Sequence, residues 1–346
     1  MTERFFSTPS GPDEVHFDRL FRPTSFDEYV GQERHVANLR VFVEAARRRG
    51  EPLDHLLLCG PPGLGKTTLA HVVARAMAVA LHSTSGPAIE HKGALAGLLT
   101  KVELGEVLFI DEIHRLGPAV EESLYPAIET FQIDLMTGDG PHATTIRLPL
   151  RPFCLIGATT RTGLLTAPLL SRFGHVIRLD FYPVEELVRI VERSARLLGA
   201  PIDAAGALEI ARRSRGTPRV ANRLLRRVRD FADVRGSGRI DAAIVRTTAE
   251  ALEIDAAGLD AMDRRLLGII IDDYDGGPVG IETLSAALSE PRGTLEDVYE
   301  PYLLQQGSLG RTPRGRIATR RAHEHLGRPY RQAEQATPED EQGELF

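Results

Sequence analysis

The sequence predicts an α/β domain built on a parallel β-sheet, followed by a small helical domain and a C-terminal domain that ends in a short strand pair. Apolar strands alternate with helical segments in the first half of the chain, as in parallel sheets with crossover helices. From Pro183 onward, apolar residues recur at helical spacing. In SLGRTPRGRIATRRA, which begins at Ser308, short extended pieces flank a turn that contains glycine.

The composition bounds the class of protein. A chain of 346 residues indicates two or three domains, and a net charge of -6 does not by itself predict a nucleic-acid partner. Cys59 and Cys154 lie in apolar runs without zinc or disulfide spacing, which indicates buried thiols in a reducing cytoplasm. We find neither a signal-peptide core nor the roughly 18 apolar residues of a membrane span, and expect a cytoplasmic protein that makes no membrane contact.

The elements of the α/β domain follow in order. Residues 1 to about 24 are predicted to be an extended lead-in, punctuated by proline and glycine. The pattern then predicts these segments: a helix over Glu33–Arg49, a strand over His55–Cys59, a helix from Lys66 to about Ala80, and strands over Glu106–Ile110 and Phe153–Ala158.

A β-hairpin is predicted between two of these strands. FQIDLM and TTIRLPL alternate in polarity around a turn that holds Gly138, Asp139 and Gly140. Two interpretations stay open: the hairpin packs on its own domain, or it docks a partner. Its apolar side is formed by Ile133, Leu135, Ile146 and Leu148.

The second half begins with EELVRIVERSARLLG, a helix that ends at Gly199, and two more helices are predicted up to about Ala256. The last stretch, TPEDEQGELF, is polar and acidic and is predicted to be disordered. We expect domains over 1–182, 183–255 and 256–330, with a tail over 331–346.

A phosphate-binding loop, GPPGLGKTT, follows the first strand and opens a helix. Gly63 and Gly65 let backbone N–H groups approach phosphates, and the helix N-terminus adds positive potential. Lys66 is expected to reach the β- and γ-phosphates of ATP, and Thr67 to bind Mg²⁺. Thr68 is included among the nucleotide-binding residues.

Polar side chains follow the next two strands. Asp111, in LFIDEIHR, is predicted at the carboxyl end of a parallel strand, where ligands bind, and is expected to hold Mg²⁺ through water. Glu112 is expected to orient and deprotonate the attacking water. Thr160, in IGATTR, is expected beside Asp111, within reach of the γ-phosphate or the water.

Two arginines complete the predicted site. Arg172, in LLSRFG, is a candidate arginine finger, a residue type that raises the rate of phosphoryl transfer by about 10³–10⁵. The alternative is a surface salt bridge, and one chain does not decide whether the finger acts in trans. Arg219, in GTPR, opens a helix and is expected to reach back to the γ-phosphate.

Six phrases resemble the RuvB family of bacterial Holliday-junction branch-migration ATPases. They cover residues 20 to about 320: RPTSFDEYVGQE, LLLCGPPGLGKTTLA, LFIDEIHRL, LIGATTRTGLLTAPLLSRFG, RGTPRVANRLLRRVRDFA and GRTPRGRIAT. The resemblance implies an AAA+ P-loop ATPase domain, a small helical lid domain and a winged-helix DNA-binding domain. It also implies a homohexameric ring around duplex DNA, bound to RuvA at the Holliday junction and working beside RuvC.

The same resemblance implies roles for individual residues. It places Phe21 and Arg22 near the adenine and ribose, Tyr182 at the base, and Arg172 as a finger in trans. It assigns the hairpin at 131–150 to RuvA docking. Thr160 departs from the many relatives that carry Asn. Three further residues are placed near the nucleotide, namely Glu129, Thr130 and Phe131, and three are assigned to DNA, namely Arg292, Arg311 and Arg316.

The wing of the predicted winged helix is RTPRGR, which places Arg311, Arg314 and Arg316 around a tight turn. Arginines there can reach phosphates, which fix position without reading sequence. The alternative for this segment is a solvated basic turn.

Other functions remain alternatives. A clamp loader often carries a zinc cysteine cluster, which two cysteines do not allow, and no aromatic pore loop of a protein-remodelling ATPase is evident. A nucleotide-gated DNA-binding regulator with little turnover is disfavoured by Glu112 and Arg172.

Overall fold

The computed structural model describes residue 17, residues 19–137 and residues 144–330, which fall into two compact units divided after Gly258. The chain is helical from Arg19 to Phe21, so the lead-in predicted as extended is partly helical. The rings of Phe17 and Phe21 stack, with centroids 6.2 Å apart. Aromatic residues four apart favour a helical turn. This spacing was missed in the sequence because weight was given to the prolines and glycines of the segment.

Seven strands and nine helices are described in the first unit. The strands are β1 (Leu56–Cys59), β2 (Leu81–Ser85), β3 (Val107–Asp111), β4 (Gln132–Thr137), β5 (Thr144–Pro149), β6 (Cys154–Thr159) and β7 (His175–Arg178). The helices are α1 (Glu33–Arg49), α2 (Lys66–Met77), α3 (Lys92–Leu99), α4 (Pro118–Glu129), α5 (Ala167–Leu170), α6 (Val184–Leu197), α7 (Ala204–Arg212), α8 (Pro218–Arg235) and α9 (Ala242–Ala251).

Five of the strands form a sheet in the order β2-β3-β6-β1-β7, and each neighbouring pair is parallel. The predicted parallel α/β domain is therefore confirmed. The sequence did not predict β2 or β7, which lie at the two edges of the sheet. Both are only partly buried, so neither carries the apolar run that identified the central strands.

The central strands bury residues on both faces. Leu56, Leu58 and Phe109 belong to one apolar cluster, whereas Leu57 and Leu108 belong to another. The first cluster continues into the helices that follow β7, where it includes buried residues of α6, α7, α8 and α9. These four helices therefore share a core with the sheet domain.

Three helices follow α6, where the sequence predicted two. One of the three, α7, has the sequence AAGALEIAR, and its buried residues are small apart from Ile210. Asp203 caps it by accepting from the backbone N–H of Gly206 at 2.7 Å. A Cβ at Gly206 would lie 3.0 Å from the carbonyl oxygen of Ile240, so glycine allows this close approach.

The inserted hairpin is present. β4 and β5 are antiparallel and pair Ile133 with Leu148 and Leu135 with Ile146. The predicted turn residues Gly138, Asp139 and Gly140 lie outside the described residues.

The second unit contains helices and one strand pair. Its elements are α10 (Ala261–Gly268), α11 (Ile281–Leu288), α12 (Arg292–Thr294), α13 (Glu300–Gln305), β8 (Leu309–Thr312), β9 (Gly315–Ala318) and α14 (Arg320–His325), with π-helical turns over Ile269–Asp273 and Leu295–Tyr299. β8 and β9 are antiparallel, and Pro313 and Arg314 form the turn between them. The predicted winged-helix architecture is confirmed. Across the described residues, no helix has the length and apolar character needed to span a bilayer.

Candidate active site

The candidate site lies where the carboxyl ends of three neighbouring strands meet. The phosphate-binding loop follows β1, Asp111 is the last residue of β3, and Thr160 follows β6. Because β6 lies between β3 and β1 in the sheet, the three segments converge on one edge. They line a single cavity together with residues of the lead-in and of the lid helices.

The loop has the backbone conformation that phosphate binding requires. Gly63 and Gly65 have φ angles of 83° and 96°, which residues with a Cβ rarely adopt. A Cβ at Gly65 would also lie 3.0 Å from the hydroxyl oxygen of Tyr29. Gly65 caps the N-terminus of α2, so the unpaired N–H groups of that helix begin at the loop.

Lys66 is buried at the start of α2. Its Nζ donates to the carbonyl oxygens of Gly60 at 2.7 Å and Pro61 at 2.9 Å. Burial lowers the pKa of Lys66 to about 8, against the opposing effect of Asp111. A buried ammonium with mainly carbonyl partners gains from an anion, and the residues present therefore fit a nucleotide phosphate.

The oxygens of Thr67 and Asp111 fit a divalent cation. The Thr67 hydroxyl lies 3.4 Å from Asp111 Oδ2, and Asp111 Oδ1 accepts from the backbone N–H of Glu112 at 2.9 Å. One hydroxyl and one carboxylate are the ligand types that Mg²⁺ binds beside substrate phosphates. Thr68 also lines the cavity.

Glu112 lines the cavity in a left-handed conformation, with a φ of 48°. Such a φ is uncommon for a residue with a side chain and is often found at functional sites. Its Oε2 accepts from Arg115 Nη1 at 2.9 Å, and its side chain is 43% exposed. The carboxylate is therefore accessible to water as well as to the cavity.

Two adjacent threonines, the last residue of β6 and the residue after it, have different surroundings. Thr160 lines the cavity. Thr159 is fully buried, and its hydroxyl lies 3.0 Å from Nδ1 of His114 and accepts from the backbone N–H of Arg161. The sequence did not predict the contact with His114, because His114 and Thr159 are far apart in the chain.

Phe21, Arg22 and Tyr182 also line the cavity. The Tyr182 hydroxyl lies 3.3 Å from the carbonyl oxygen of Leu64, in the phosphate-binding loop, and 3.3 Å from the hydroxyl of Tyr29, and its one proton is shared between these two acceptors. Burial raises the pKa of Tyr29 to about 12, so this phenol stays neutral. Sequence reasoning missed Tyr29, whose aromatic side chain is typical of any core.

The lid helices contribute two arginines to the cavity. Arg219, predicted from the sequence, donates its backbone N–H to the carbonyl oxygen of Gly63 at 3.4 Å. Arg193, which the sequence did not single out, donates to the carbonyl oxygen of Phe21 at 2.7 Å and to Glu28 at 3.1 Å. Both helices therefore contact segments that line the cavity.

Four predicted site residues lie away from this cavity. Arg172 pairs with Glu129, with Nε 3.0 Å from Oε1. The Thr130 hydroxyl donates to the carbonyl oxygen of Pro126 at 3.0 Å, and the Phe131 ring packs edge-on against Phe153. The structure therefore groups Arg172 with Glu129 and does not bring either to the phosphate-binding loop of the same chain.

The hairpin has one buried and one exposed apolar position among its described side chains. Ile133 is fully buried in the core of the sheet domain, and Leu148 packs against the same core. Ile146 is 44% exposed. The base of the hairpin thus packs on its own domain, and Ile146 leaves an apolar side chain on the surface.

The three arginines that the resemblance assigned to DNA each form ion pairs. Arg311 and Arg316 lie opposite each other on β8 and β9, and both donate to Glu300. Arg292, which is 56% exposed, pairs with Glu282 at 3.0 Å and Glu296 at 3.1 Å.

Family models match three consecutive parts of the chain. The P-loop domain of the Holliday junction DNA helicase RuvB matches residues 21–179, the RuvB AAA lid domain matches residues 182–255, and the RuvB C-terminal winged helix domain matches residues 256–327. Together these matches span nearly all of the described residues.

Solved structures of a Thermotoga maritima protein are similar over almost the whole chain. The RuvB Holliday junction branch migration motor of that organism is 52% identical, with 90% of this chain and 99% of that chain covered and a TM-score of 0.83. A lysine-to-arginine variant of it is 53% identical, with coverage of 89% and 98% and a TM-score of 0.83. An arginine-to-alanine variant is 52% identical, with the same coverage and TM-score.

Proposed function

The chain belongs to the RuvB family of Holliday junction DNA helicases, and we propose that it is the ATP-hydrolysing motor that translocates duplex DNA to drive branch migration at the Holliday junction in recombination and repair. One observation carries this proposal. Lys66, Thr67, Asp111 and Glu112 converge on one cavity at the edge of the sheet, and each has the chemistry that ATP hydrolysis requires there.

We propose distinct roles for these residues with ATP and Mg²⁺. Lys66 and the N–H groups of the loop bind the phosphates, and Thr67 and Asp111 hold the metal ion, which neutralises phosphate charge when bound. Glu112 orients the attacking water and accepts its proton. Thr160 contacts the γ-phosphate or the water, and Arg219 links the lid to the phosphates.

Phe21, Arg22 and Tyr182, which line the same cavity, are proposed to bind the base and ribose. The position of Tyr182 supports this assignment, because its hydroxyl links the start of the lid to the carbonyl of Leu64 in the loop. A nucleotide that contacts Tyr182, Arg219 and Lys66 would therefore couple the lid to the sheet domain.

We further propose that Arg172 completes the site of a neighbouring subunit in a homohexameric ring. Arg172 does not line the cavity of its own chain, which supports this role, because a finger that acts in trans lies on the surface that meets a neighbour. Glu129, Thr130 and Phe131 follow one another beside it and are assigned to the same junction between subunits.

The remaining proposals concern domains and partners. The ATPase domain spans 1–182, the lid 183–255 and the winged-helix domain 256–330, with an acidic tail over 331–346. Duplex DNA binds the winged-helix domain, RuvA binds the hairpin at 131–150, and RuvC works in the same complex. Both cysteines are free and buried, which fits the reducing cytoplasm.

The test separates binding from chemistry. Lys66→Ala is expected to lose tight nucleotide binding, whereas Glu112→Gln is expected to bind ATP and hydrolyse it very slowly, because the water loses its base. ATP turnover and the affinity for a fluorescent ATP analogue are measured with and without duplex DNA. Normal turnover by Glu112→Gln would show that Glu112 is not the base. Slow turnover by the wild type that duplex DNA does not raise would favour a nucleotide-gated regulator instead.

A further inference from the structure

One face of helix α4 is turned towards the segment that carries Arg172. Glu121, Tyr125 and Glu129 follow one another at a spacing of four residues, which places them on one face of the helix. The guanidinium carbon of Arg172 lies 4.3 Å from the centroid of the Tyr125 ring. This distance is within the range of a cation–π contact, so the ring supports the charged group directly.

Tyr125 is itself fixed by a buried carboxylate. Its hydroxyl donates to Oε1 of Glu121 at 2.7 Å, and Glu121 is only 8% exposed. Glu121 lies in the first turn of α4, where the helix dipole stabilises a negative charge. Burial and the nearby carboxylate raise the pKa of the Tyr125 phenol, which therefore remains a donor.

The same carboxylate also holds the segment that leads to Arg172. The Thr166 hydroxyl donates to Oε1 of Glu121 and caps helix α5, accepting from the backbone N–H of Leu169 at 3.3 Å. At the other end of α5, Nη1 of Arg172 donates to the carbonyl oxygen of Pro168 at 2.6 Å. Glu121 thus fixes the aromatic ring and the short helix before the arginine at the same time.

The guanidinium is held without being fully satisfied. Nε of Arg172 is buried and makes no aligned hydrogen bond, although it lies 3.0 Å from Oε1 of Glu129. The Glu129 side chain is 51% exposed, and a pair that is open to solvent contributes little. The guanidinium can therefore exchange this weak partner for a phosphate, with which a charge-assisted pair is stronger.

We propose that Tyr125 is a positioning residue for Arg172, and that Glu121 and Thr166 act through Tyr125 and helix α5 to hold the guanidinium in place for the γ-phosphate bound by the neighbouring subunit. The inference rests on the proposed role of Arg172 as a finger in trans. It predicts that the network affects the rate of hydrolysis and leaves the nucleotide cavity of its own chain unchanged, because none of its residues lines that cavity.

The first part of the test compares turnover with binding. Tyr125→Leu is expected to lower kcat for ATP about 10- to 100-fold, since a displacement of about 1 Å can cost that much, while the affinity for a fluorescent ATP analogue stays unchanged. Tyr125→Phe keeps the ring under the guanidinium but loses the hydroxyl that Glu121 holds, so its rate should lie between those of Tyr125→Leu and the wild type. Glu121→Gln should also lower kcat. Its control is Glu122→Gln, which changes an exposed carboxylate on the same helix and should have wild-type turnover.

The second part uses mixed rings to distinguish positioning from folding. A Tyr125→Leu subunit keeps an intact cavity with Glu112, and a Glu112→Gln subunit keeps a correctly held Arg172. Mixing the two impaired proteins should give more ATPase activity than the sum of the two measured separately. A variant that is merely misfolded would have a damaged cavity and would restore none.

The outcomes separate this inference from the proposed function. Arg172→Ala serves as the reference, because it should lose turnover and recover it on mixing with Glu112→Gln. If Arg172→Ala kept wild-type turnover, the finger itself would be wrong. If Arg172→Ala behaved as expected but Tyr125→Leu turned over like the wild type, or failed to recover on mixing, then Tyr125 would not position the finger.

Discussion

Arg316 and Glu300 form a buried ion pair in the second unit, with Arg316 Nε 2.7 Å from Glu300 Oε1. The side chain of Glu300 is 1% exposed and that of Arg316 is 14% exposed. Arg311, on the facing strand, donates its Nε to the other carboxylate oxygen of Glu300 at 2.9 Å. One carboxylate at the start of α13 thus holds both strands of the wing.

We expect Arg316→Ala to destabilise the second unit by about 3 kcal/mol, because it leaves Glu300 buried with one partner fewer. The effect is measured as a fall in the unfolding transition of that unit by scanning calorimetry. The double variant Arg316→Gln with Glu300→Gln should recover part of the loss, since it removes the uncompensated charge. An unchanged transition for Arg316→Ala would show that Arg311 alone neutralises the carboxylate.

The next prediction compares two apolar residues of the hairpin, Ile146 and Ile133. Ile146→Asp is expected to weaken binding to RuvA and to leave ATP turnover without DNA unchanged, because the side chain is 44% exposed. Affinity for RuvA is measured by titration calorimetry, beside turnover on the same preparations. Unchanged affinity would remove Ile146 from the docking surface.

Ile133→Asp is the matched change at a buried position of the same hairpin. Since Ile133 is fully buried in the core of the sheet domain, a carboxylate there should lower the melting temperature and reduce both turnover and RuvA binding. The sequence alone treated Ile133 and Ile146 as equivalent. The structure distinguishes them, and of these two residues Ile146 alone remains a candidate for docking without loss of the fold.

The parts of the fold that were predicted are those with a strong local signal. The helix over Glu33–Arg49 has an apolar stripe and ends at Gly50, which adopts the left-handed conformation, and its predicted bounds match the structure. Strands β1, β3 and β6 are buried apolar runs and were found within one residue at either end. The edge strands β2 and β7 are half polar, and only their pairing in the folded sheet defines them.

The candidate site shows the same division. Lys66, Thr67, Asp111 and Glu112 could be predicted, because their chemistry demands particular residue types immediately after strands. Tyr125 could not, since it acts through a ring face and a hydroxyl that reach residues distant in the chain. A tyrosine at helical spacing is more often part of a core, and nothing local marks it as a neighbour of Arg172.

Acid sensitivity is predicted for His71, on helix α2. Burial, followed by the charges of Arg22, Arg75 and Arg19, lowers its pKa from 6.5 to about 4. The unfolded chain therefore binds a proton more readily than the folded one between these values, so stability is lost as the pH falls from 6.5 towards 4. His71→Gln should show a smaller fall in melting temperature between about pH 7.5 and about pH 5 than the wild type. Equal falls would mean that His71 does not contribute to acid sensitivity.

The last prediction concerns how the wing contacts DNA. Arg314 lies at the turn between β8 and β9, is exposed, and has no ion-pair partner in the part of the chain that the structure describes. Arg311 is 51% exposed, whereas Arg316 is largely enclosed by Glu300 and Glu296. An exposed guanidinium without an ion pair can bind a DNA phosphate without breaking an existing contact. Arg314 is therefore a candidate phosphate-binding residue beside Arg311 and Arg316.

We expect Arg314→Ala to weaken duplex binding about equally across sequences and to reduce the log–log salt slope by about 0.9, the value for one phosphate contact. The melting transition should not change, because Arg314 makes no ion pair within the described residues. Neutralising Arg311 and Arg316 should also weaken duplex binding. It should lower stability as well, because the buried Glu300 carboxylate loses both ion-pair partners. Duplex affinity at several salt concentrations, measured beside thermal unfolding for each variant, separates the two effects. A wild-type slope for Arg314→Ala and for the Arg311 and Arg316 double variant would mean that the wing does not touch phosphate, and that the DNA-binding surface lies elsewhere on the protein.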